Sequence, residues 1–168
     1  MINTVLRFSG IFVLLVLLQV LLFNNIQFSG YVNPYIYLLF ILLLPIEIPS
    51  WLLLIVSFIT GAIVDVFSGS PGMHSSATVL AGFIRPAVLR IVTVREGYEP
   101  GSSLSMHAYG FRWFLIYTSI TVLIHHTALF YLEVFRFGDF FRTFLRILLS
   151  SFFSILFILL IEFYRREK

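Results

Sequence analysis

The chain contains no cysteine in its 168 residues. Disulfides, thiolate nucleophiles and thiolate metal sites are thereby excluded. Charge is nearly as scarce: 11% of the residues are Asp, Glu, Lys or Arg, against roughly 25% in an average soluble domain. The polar gaps between apolar runs are too short to hold a soluble catalytic domain. Several activities also lack their residues. There is no Walker A loop, no G-x-S-x-G, no H-E-x-x-H and no pair of carboxylates at glycosidase-like spacing. Near the outer ends of the apolar runs the acidic groups are Asp65 and Asp139, with Glu133 close to the second. A hydrolase or polymerase working at a membrane surface needs more converging polar groups. No enzyme activity, cofactor or metal is expected, and there is no repeat, heptad pattern or low-complexity tract.

What the chain does have is apolar length. Hydrophobic residues make up 60% of it and the mean hydropathy is +1.01. Long apolar stretches with few charges mean an integral membrane protein. Arg7 followed by the run 11–23 has the look of a signal peptide, but the run continues into Asn24 and Asn25 without an A-x-A cleavage site. It reads as a retained first span. The expected fold is an all-α, six-helix polytopic bundle with short loops, in one transmembrane domain. Its spans are expected at about 5–23, 35–46, 51–64, 75–94, 111–135 and 140–164. Pro45 and Pro49 flank Glu47 and end the second span, because prolines cannot continue a lipid-exposed helix. The fourth span is the weakest, with Gly82, Arg85, Pro86 and Arg90 inside it. If it were re-entrant, five crossings would remain. Trp51 is expected at one membrane interface, and the stretch from Arg95 to Gly110 reads as the one obvious aqueous loop.

The pI near 9.4 is no nucleic-acid signal, since the basic residues sit at span ends, where they set topology and meet anionic lipid. With six spans, Arg7, Arg90, Arg95, Arg112, Arg165, Arg166 and Lys168 fall on the side of the termini, and Arg136, Arg142 and Arg146 on the other. The positive-inside rule then puts both termini in the cytoplasm.

The apolar pattern is broken once, at Thr60-Gly-Ala-Ile-Val-Asp-Val-Phe-Ser-Gly-Ser-Pro-Gly72. Asp65 ends a membrane-length segment, and a glycine- and serine-rich turn follows. Intramembrane carboxylates are functional candidates by default. Proton handling, ion handling and partner contact are therefore open. The plainer reading is a helix-end aspartate accepting bonds from the backbone of Ser68, Gly69 and Ser70. Arg85 is a tempting counter-ion, but in a hairpin turning at Gly69 to Gly72 it lies about nine residues beyond the level of Asp65, roughly 13 Å at helical rise. It is expected to snorkel to the headgroups past the Pro86 kink, or to pair with another span or a partner. His125 and His126 are about 100° apart on a helix and cannot easily share a metal, so hydrogen bonds between helices are the expected role. His74 and His107 lie in or near turns and are expected to be solvated. The Phe135, Phe137, Phe140, Phe141 and Phe144 cluster reads as lipid contact, or as a surface for a partner helix.

The stretch from Gly61 through Asp65 to Gly69, followed by Pro71 and Gly72, resembles the G-x-x-x-D-x-x-x-G motif of the MreD family of bacterial rod shape-determining membrane proteins. The Asn33-Pro34 entry to an apolar span that closes at Leu44-Pro45, the chain length and the small loops are similar too. Pro71, His74 and the Arg85-Pro86 pair map onto no role in that family. The resemblance implies a non-catalytic scaffold or regulatory subunit of the cell-wall elongation complex, in the bacterial inner membrane. It implies association with an MreC-like bitopic protein and, through it, with an MreB-like filament and the peptidoglycan polymerase and transpeptidase. It also implies a fold similar to the substrate-binding subunits of ECF transporters. The rival reading is therefore a transporter subunit binding a vitamin-like or lipid-like small molecule, with Asn24, Asn25, Gln27, Tyr31, Asn33 and Asp65 on its outer face. The partner or structural candidates are Gly61, Asp65, Gly69, Gly72, Gly82 and Arg85. The small residues Gly61, Ala62, Ala77, Ala81 and Gly82 are expected to receive the MreC-like partner, because helix association in lipid relies on close packing.

Overall fold

A computed structural model of the chain describes residues 2–26, 32–92, 97–99, 103–134 and 140–165. Gln27, Tyr31, Arg95, Phe135, Arg136, Phe137, Asp139, Arg166 and Lys168 lie outside them. The elements are α1 (Ile2–Leu21), a 3-10 turn (Phe23–Asn25), α2 (Leu38–Leu43), α3 (Ser50–Ser68), α4 (Met73–Ile91), α5 (Met106–Tyr109), α6 (Phe111–Val134) and α7 (Phe140–Tyr164). Among the described residues, four helices are long and apolar enough to cross a membrane: α1 with its extension to Asn25, α3, α6 and α7. The chain is an all-helical, multi-pass membrane protein. Helix α4 matches α3 in length, but His74, Ser75, Ser76, Thr78, Arg85 and Arg90 hold down its hydropathy. It packs between α3 and α6, and α6 packs on α7.

The expected second span departs most from the sequence reading. Of 35–46, only the six residues Leu38–Leu43 are helical, about 9 Å at helical rise. Pro34 and Pro45 bracket the segment and prevent extension. It is no lipid-facing span, because Ile36 to Leu44 are each at most 6% exposed. Non-helical backbone at membrane depth is tolerated only where protein surrounds it. Here the surrounding helices supply the missing hydrogen bonds. Gln19 of α1 accepts from the Ile36 and Tyr37 N–H groups at 2.8 and 3.4 Å and donates to the Pro34 carbonyl at 3.1 Å. Ser150 and Ser154 of α7 accept from the N–H groups of Asn33 and Tyr35 at 3.0 and 2.9 Å. At the other end Tyr117 of α6 donates to the Leu42 carbonyl at 3.2 Å. Arg85 of α4 donates to the carbonyls of Leu44 and Pro45. The non-helical backbone on both sides of the six-residue helix is thus satisfied by side chains from other elements.

The Pro45 end of the bundle is also tied down. Glu162, fully buried, accepts from Arg165 at 2.6 and 2.8 Å and from the Met106 N–H at 3.2 Å. This fixes α5 to α7. Tyr98, Tyr109, Trp113 and Tyr117 form a chain of ring contacts there, with centroids 4.8–5.3 Å apart along it. Burial raises the Tyr98 phenol above its ordinary pKa, and its hydroxyl donates to the Leu89 carbonyl at 2.7 Å. Trp51, at the start of α3, is 64% exposed.

Candidate functional site: a polar cluster behind the α3–α4 turn

Helix α3 ends where Gly69 adopts φ +63 and α4 starts after Gly72 at φ +82. Both are left-handed conformations that favour glycine. The reversal between them returns α4 along α3 at close range. A Cβ on Gly61 would lie 2.5 Å from the Ser75 Cα and 2.6 Å from the His74 carbonyl. A Cβ on Gly82 would lie 2.4 Å from Ser57 Oγ. Gly61 and Gly82 therefore serve α3–α4 packing inside the chain, with Ala77 and Ala81 also fully buried. The close packing expected of Gly61 and Gly82 is thus met within the chain, by the hairpin itself.

Asp65 sits 6% exposed at the end of α3 and accepts six hydrogen bonds. One oxygen takes the His74 N–H at 2.9 Å, His74 Nδ1 at 3.0 Å and the Ser70 hydroxyl at 3.2 Å. The other takes the N–H groups of Gly72 and Ser75 at 3.1 and 2.9 Å and the Ser75 hydroxyl. The carboxylate of one helix thus caps the N-terminus of the next. It satisfies free N–H donors there and places negative charge at the positive end of the α4 dipole. Its backbone donors are Gly72, His74 and Ser75, not Ser68, Gly69 and Ser70 as expected; of those three, Ser70 alone reaches the carboxylate, through its hydroxyl. The first turn of α4 is where the unpaired N–H groups are.

His74 corrects its own expectation. Being the second residue of α4 rather than a turn residue, it is 4% exposed. Its Nδ1 meets both Asp65 and the Ser70 hydroxyl, the latter at 2.8 Å. Ser, His and Asp are thus adjacent but cannot form a nucleophilic relay, which needs the serine and the carboxylate on opposite ring nitrogens. Nδ1–H faces the carboxylate, so Nε2 is left as an acceptor. That buried Nε2 has no hydrogen-bond partner among the described residues.

Deeper in, the polar chain continues. Tyr37 OH lies 3.1 Å from Thr78 Oγ1 and 2.8 Å from His125 Nε2. The two histidine Nδ1 atoms face each other at 3.4 Å, so no more than one carries a hydrogen. His126 Nδ1 also lies 2.9 Å from the Val122 carbonyl, which assigns that hydrogen to His126. His126 Nε2 then accepts from Ser154 at 2.9 Å, and the Ser154 oxygen in turn takes the Tyr35 N–H. His125 and His126 therefore join α6 to the buried segment and to α7. No group of three His or acidic side chains suited to a metal occurs among the described residues.

Arg85 is 1% exposed. The expectation that it snorkels to the headgroups is corrected. The broken backbone at Leu44 and Pro45 offers carbonyls inside the bundle, and Tyr117 OH accepts its Nε–H at 2.9 Å. Arg85 and Asp65 serve opposite ends of the hairpin. His107 is exposed, although its Nε2 lies 3.0 Å from the Glu162 carbonyl. Sequence reasoning missed Gln19, Tyr37, Tyr117, Ser150, Ser154 and Glu162. Gln19 is the lone polar residue in the apolar run 11–23, and that was the available signal.

A cavity of about 480 Å³ opens beside the turn, lined by Asn24, Asn33, Tyr35, Ser68, His74 and Arg146 among others. Comparison of the chain with protein-family models, curated proteins and solved structures finds no match.

Proposed function

We propose that the protein is a non-catalytic membrane scaffold that binds other membrane proteins through its helix faces, as a subunit of the bacterial cell-wall elongation complex. One observation carries this reading. The Thr60–Gly72 motif, which bears the resemblance to MreD, spends its polar groups on holding α3 to α4: Asp65 accepts six internal bonds, and Gly61 meets the α4 backbone. A motif consumed in this way builds a rigid hairpin, not a reactive centre. The surfaces left for partners are apolar, among them Phe141 and Phe152 of α7, which are 84% and 61% exposed. In this reading α4 and the buried 32–45 segment complete six passes, with both termini cytoplasmic in the inner membrane. The partners are an MreC-like bitopic protein and, indirectly, an MreB-like filament and the peptidoglycan polymerase and transpeptidase.

Affinity purification from native membranes tests the proposal. MreC-like and cell-wall synthase proteins should be recovered with the tagged chain. Recovery of a transporter ATPase module in their place would overturn it in favour of a transporter subunit.

A further inference from the structure

We propose that the groove between α1 and α3 holds one acyl chain of a phospholipid whose headgroup carries a primary ammonium, and that this ammonium pairs with Glu47. The groove has a volume of about 580 Å³, within the range of roughly 300–1,000 Å³ usual for small-molecule sites. Phe12 of α1 and Leu52, Val56 and Ile59 of α3 line it, together with Phe40 and Leu44 of the buried segment. Phe12 and Phe40 are in ring contact, with centroids 5.0 Å apart. Thr60 is the last α3 residue along the groove. Its hydroxyl donates to the Val56 carbonyl at 2.7 Å, so even this polar group is spent on its own helix. Such a lining suits a hydrocarbon chain.

Length and charge select the occupant. From Pro49 to Thr60 the groove follows α3 for about 16 Å at helical rise. That is the depth of one leaflet in a hydrocarbon core about 30 Å thick. A partner helix crosses both leaflets and needs a seam as long as itself. Beyond the groove α1 and α3 are joined, where Asn24 Nδ2 donates to Ser68 Oγ at 3.1 Å. The mouth lies at headgroup level, because Trp51, a residue type that marks the membrane interface, is exposed in the first turn of α3. There Glu47, between Pro45 and Pro49, lines the groove. It is exposed and has no hydrogen bond or ion pair with a described residue. Arg7 stands next to the lining residue Phe8 at the same end of α1. A zwitterionic headgroup therefore meets a carboxylate for its ammonium and a guanidinium for its phosphate. The ammonium adds charge-assisted hydrogen bonds that a glycerol headgroup cannot make. The inference rests on the multi-pass membrane class and not on the scaffold reading, so a failed co-purification leaves it untouched.

The test is native mass spectrometry of the full chain in mild detergent, with phosphatidylethanolamine or phosphatidylglycerol of the same acyl chains added in turn. The wild type should retain phosphatidylethanolamine and bind phosphatidylglycerol about fivefold more weakly, the order expected for an exposed ion pair. Glu47→Gln should remove that preference. Ile59→Trp, which fills the groove from a position that is already exposed, should abolish retention of both lipids. A second measurement needs no variant and carries the test if Ile59→Trp misfolds. Phosphatidylethanolamine with a diazirine in the middle of one chain is illuminated with the wild type, in nanodiscs and in native membranes. Crosslinks should fall on the peptides carrying Phe12 and Val56 in both. The proposal is overturned if the wild type retains the two lipids equally, if Glu47→Gln keeps the preference, or if a folded Ile59→Trp retains lipid like the wild type. Crosslinks that avoid the α1–α3 groove overturn it too. Crosslinks found there in nanodiscs but not in native membranes assign the groove to a partner helix, and also overturn it.

Discussion

Arg85 and Asp65 are the two buried charges within the hairpin; Arg85 donates bonds to backbone and Asp65 accepts bonds from it. For Asp65 the consequence is graded. Asn keeps one acceptor oxygen but turns an NH2 group toward donors that now meet the second carboxylate oxygen. Leu leaves all of those donors unpaired, at about 1–3 kcal/mol for each one buried. Unfolding of the purified protein in mixed micelles should rank wild type above Asp65→Asn and Asp65→Asn above Asp65→Leu. Equal loss in both variants would mean that the charge itself matters, beyond capping. Arg85→Leu strands the Leu44 and Pro45 carbonyls and the Tyr117 hydroxyl. Arg85→Lys can reach one carbonyl but cannot span two carbonyls and a phenol, because its donors radiate from one point and not from a fork. Both should lower the unfolding midpoint, Leu more than Lys. A wild-type midpoint in Arg85→Leu would contradict the capping role.

At the scale of elements, the α3–α4 hairpin rests on two close approaches of unequal stiffness. The Cβ of an alanine at position 61 meets backbone, which cannot yield without separating the helices. At position 82 it meets the Ser57 hydroxyl, which can rotate away from the Leu53 carbonyl it bonds. Gly61→Ala should therefore destabilise the protein more than Gly82→Ala. In a Ser57→Ala background the cost of Gly82→Ala should shrink, a coupling that a double-mutant cycle measures directly. Additive effects would place Gly82 outside this contact. The small residues were legible in the sequence, but their partner was not. A glycine stripe says that something approaches closely, and antiparallel packing within the chain satisfies it as well as a second protein does. The same limit applies to Asp65: its capping role was legible in kind, while its donors depended on where α4 begins.

At the scale of the molecule, apolar runs gave the all-helical, multi-pass class, and four runs became helices of membrane length. The run at 35–46 did not, because hydropathy measures how well a segment avoids water and not what surrounds it. A segment sealed by protein and one bathed in lipid score alike. Pro34 and Pro45 were the visible warning. Under the proposed six-pass topology, a reporter active only in the periplasm and fused after Lys168 should be silent, and one inserted at the Gly69–Gly72 turn should be active. The reverse pattern would invert the orientation.

The buried segment has a consequence for biogenesis. Its residues are translated early, yet the Tyr35 N–H is matched by a serine 119 positions further along the chain, and the Leu44 carbonyl by an arginine 41 positions on. A nascent chain that has delivered α1 and this segment cannot release them into lipid as a finished hairpin. The segment must wait, in the translocon or at the bilayer surface, until α4, α6 and α7 arrive to enclose it. Its insertion is therefore among the last events in the making of the protein, although it is among the first sequences made.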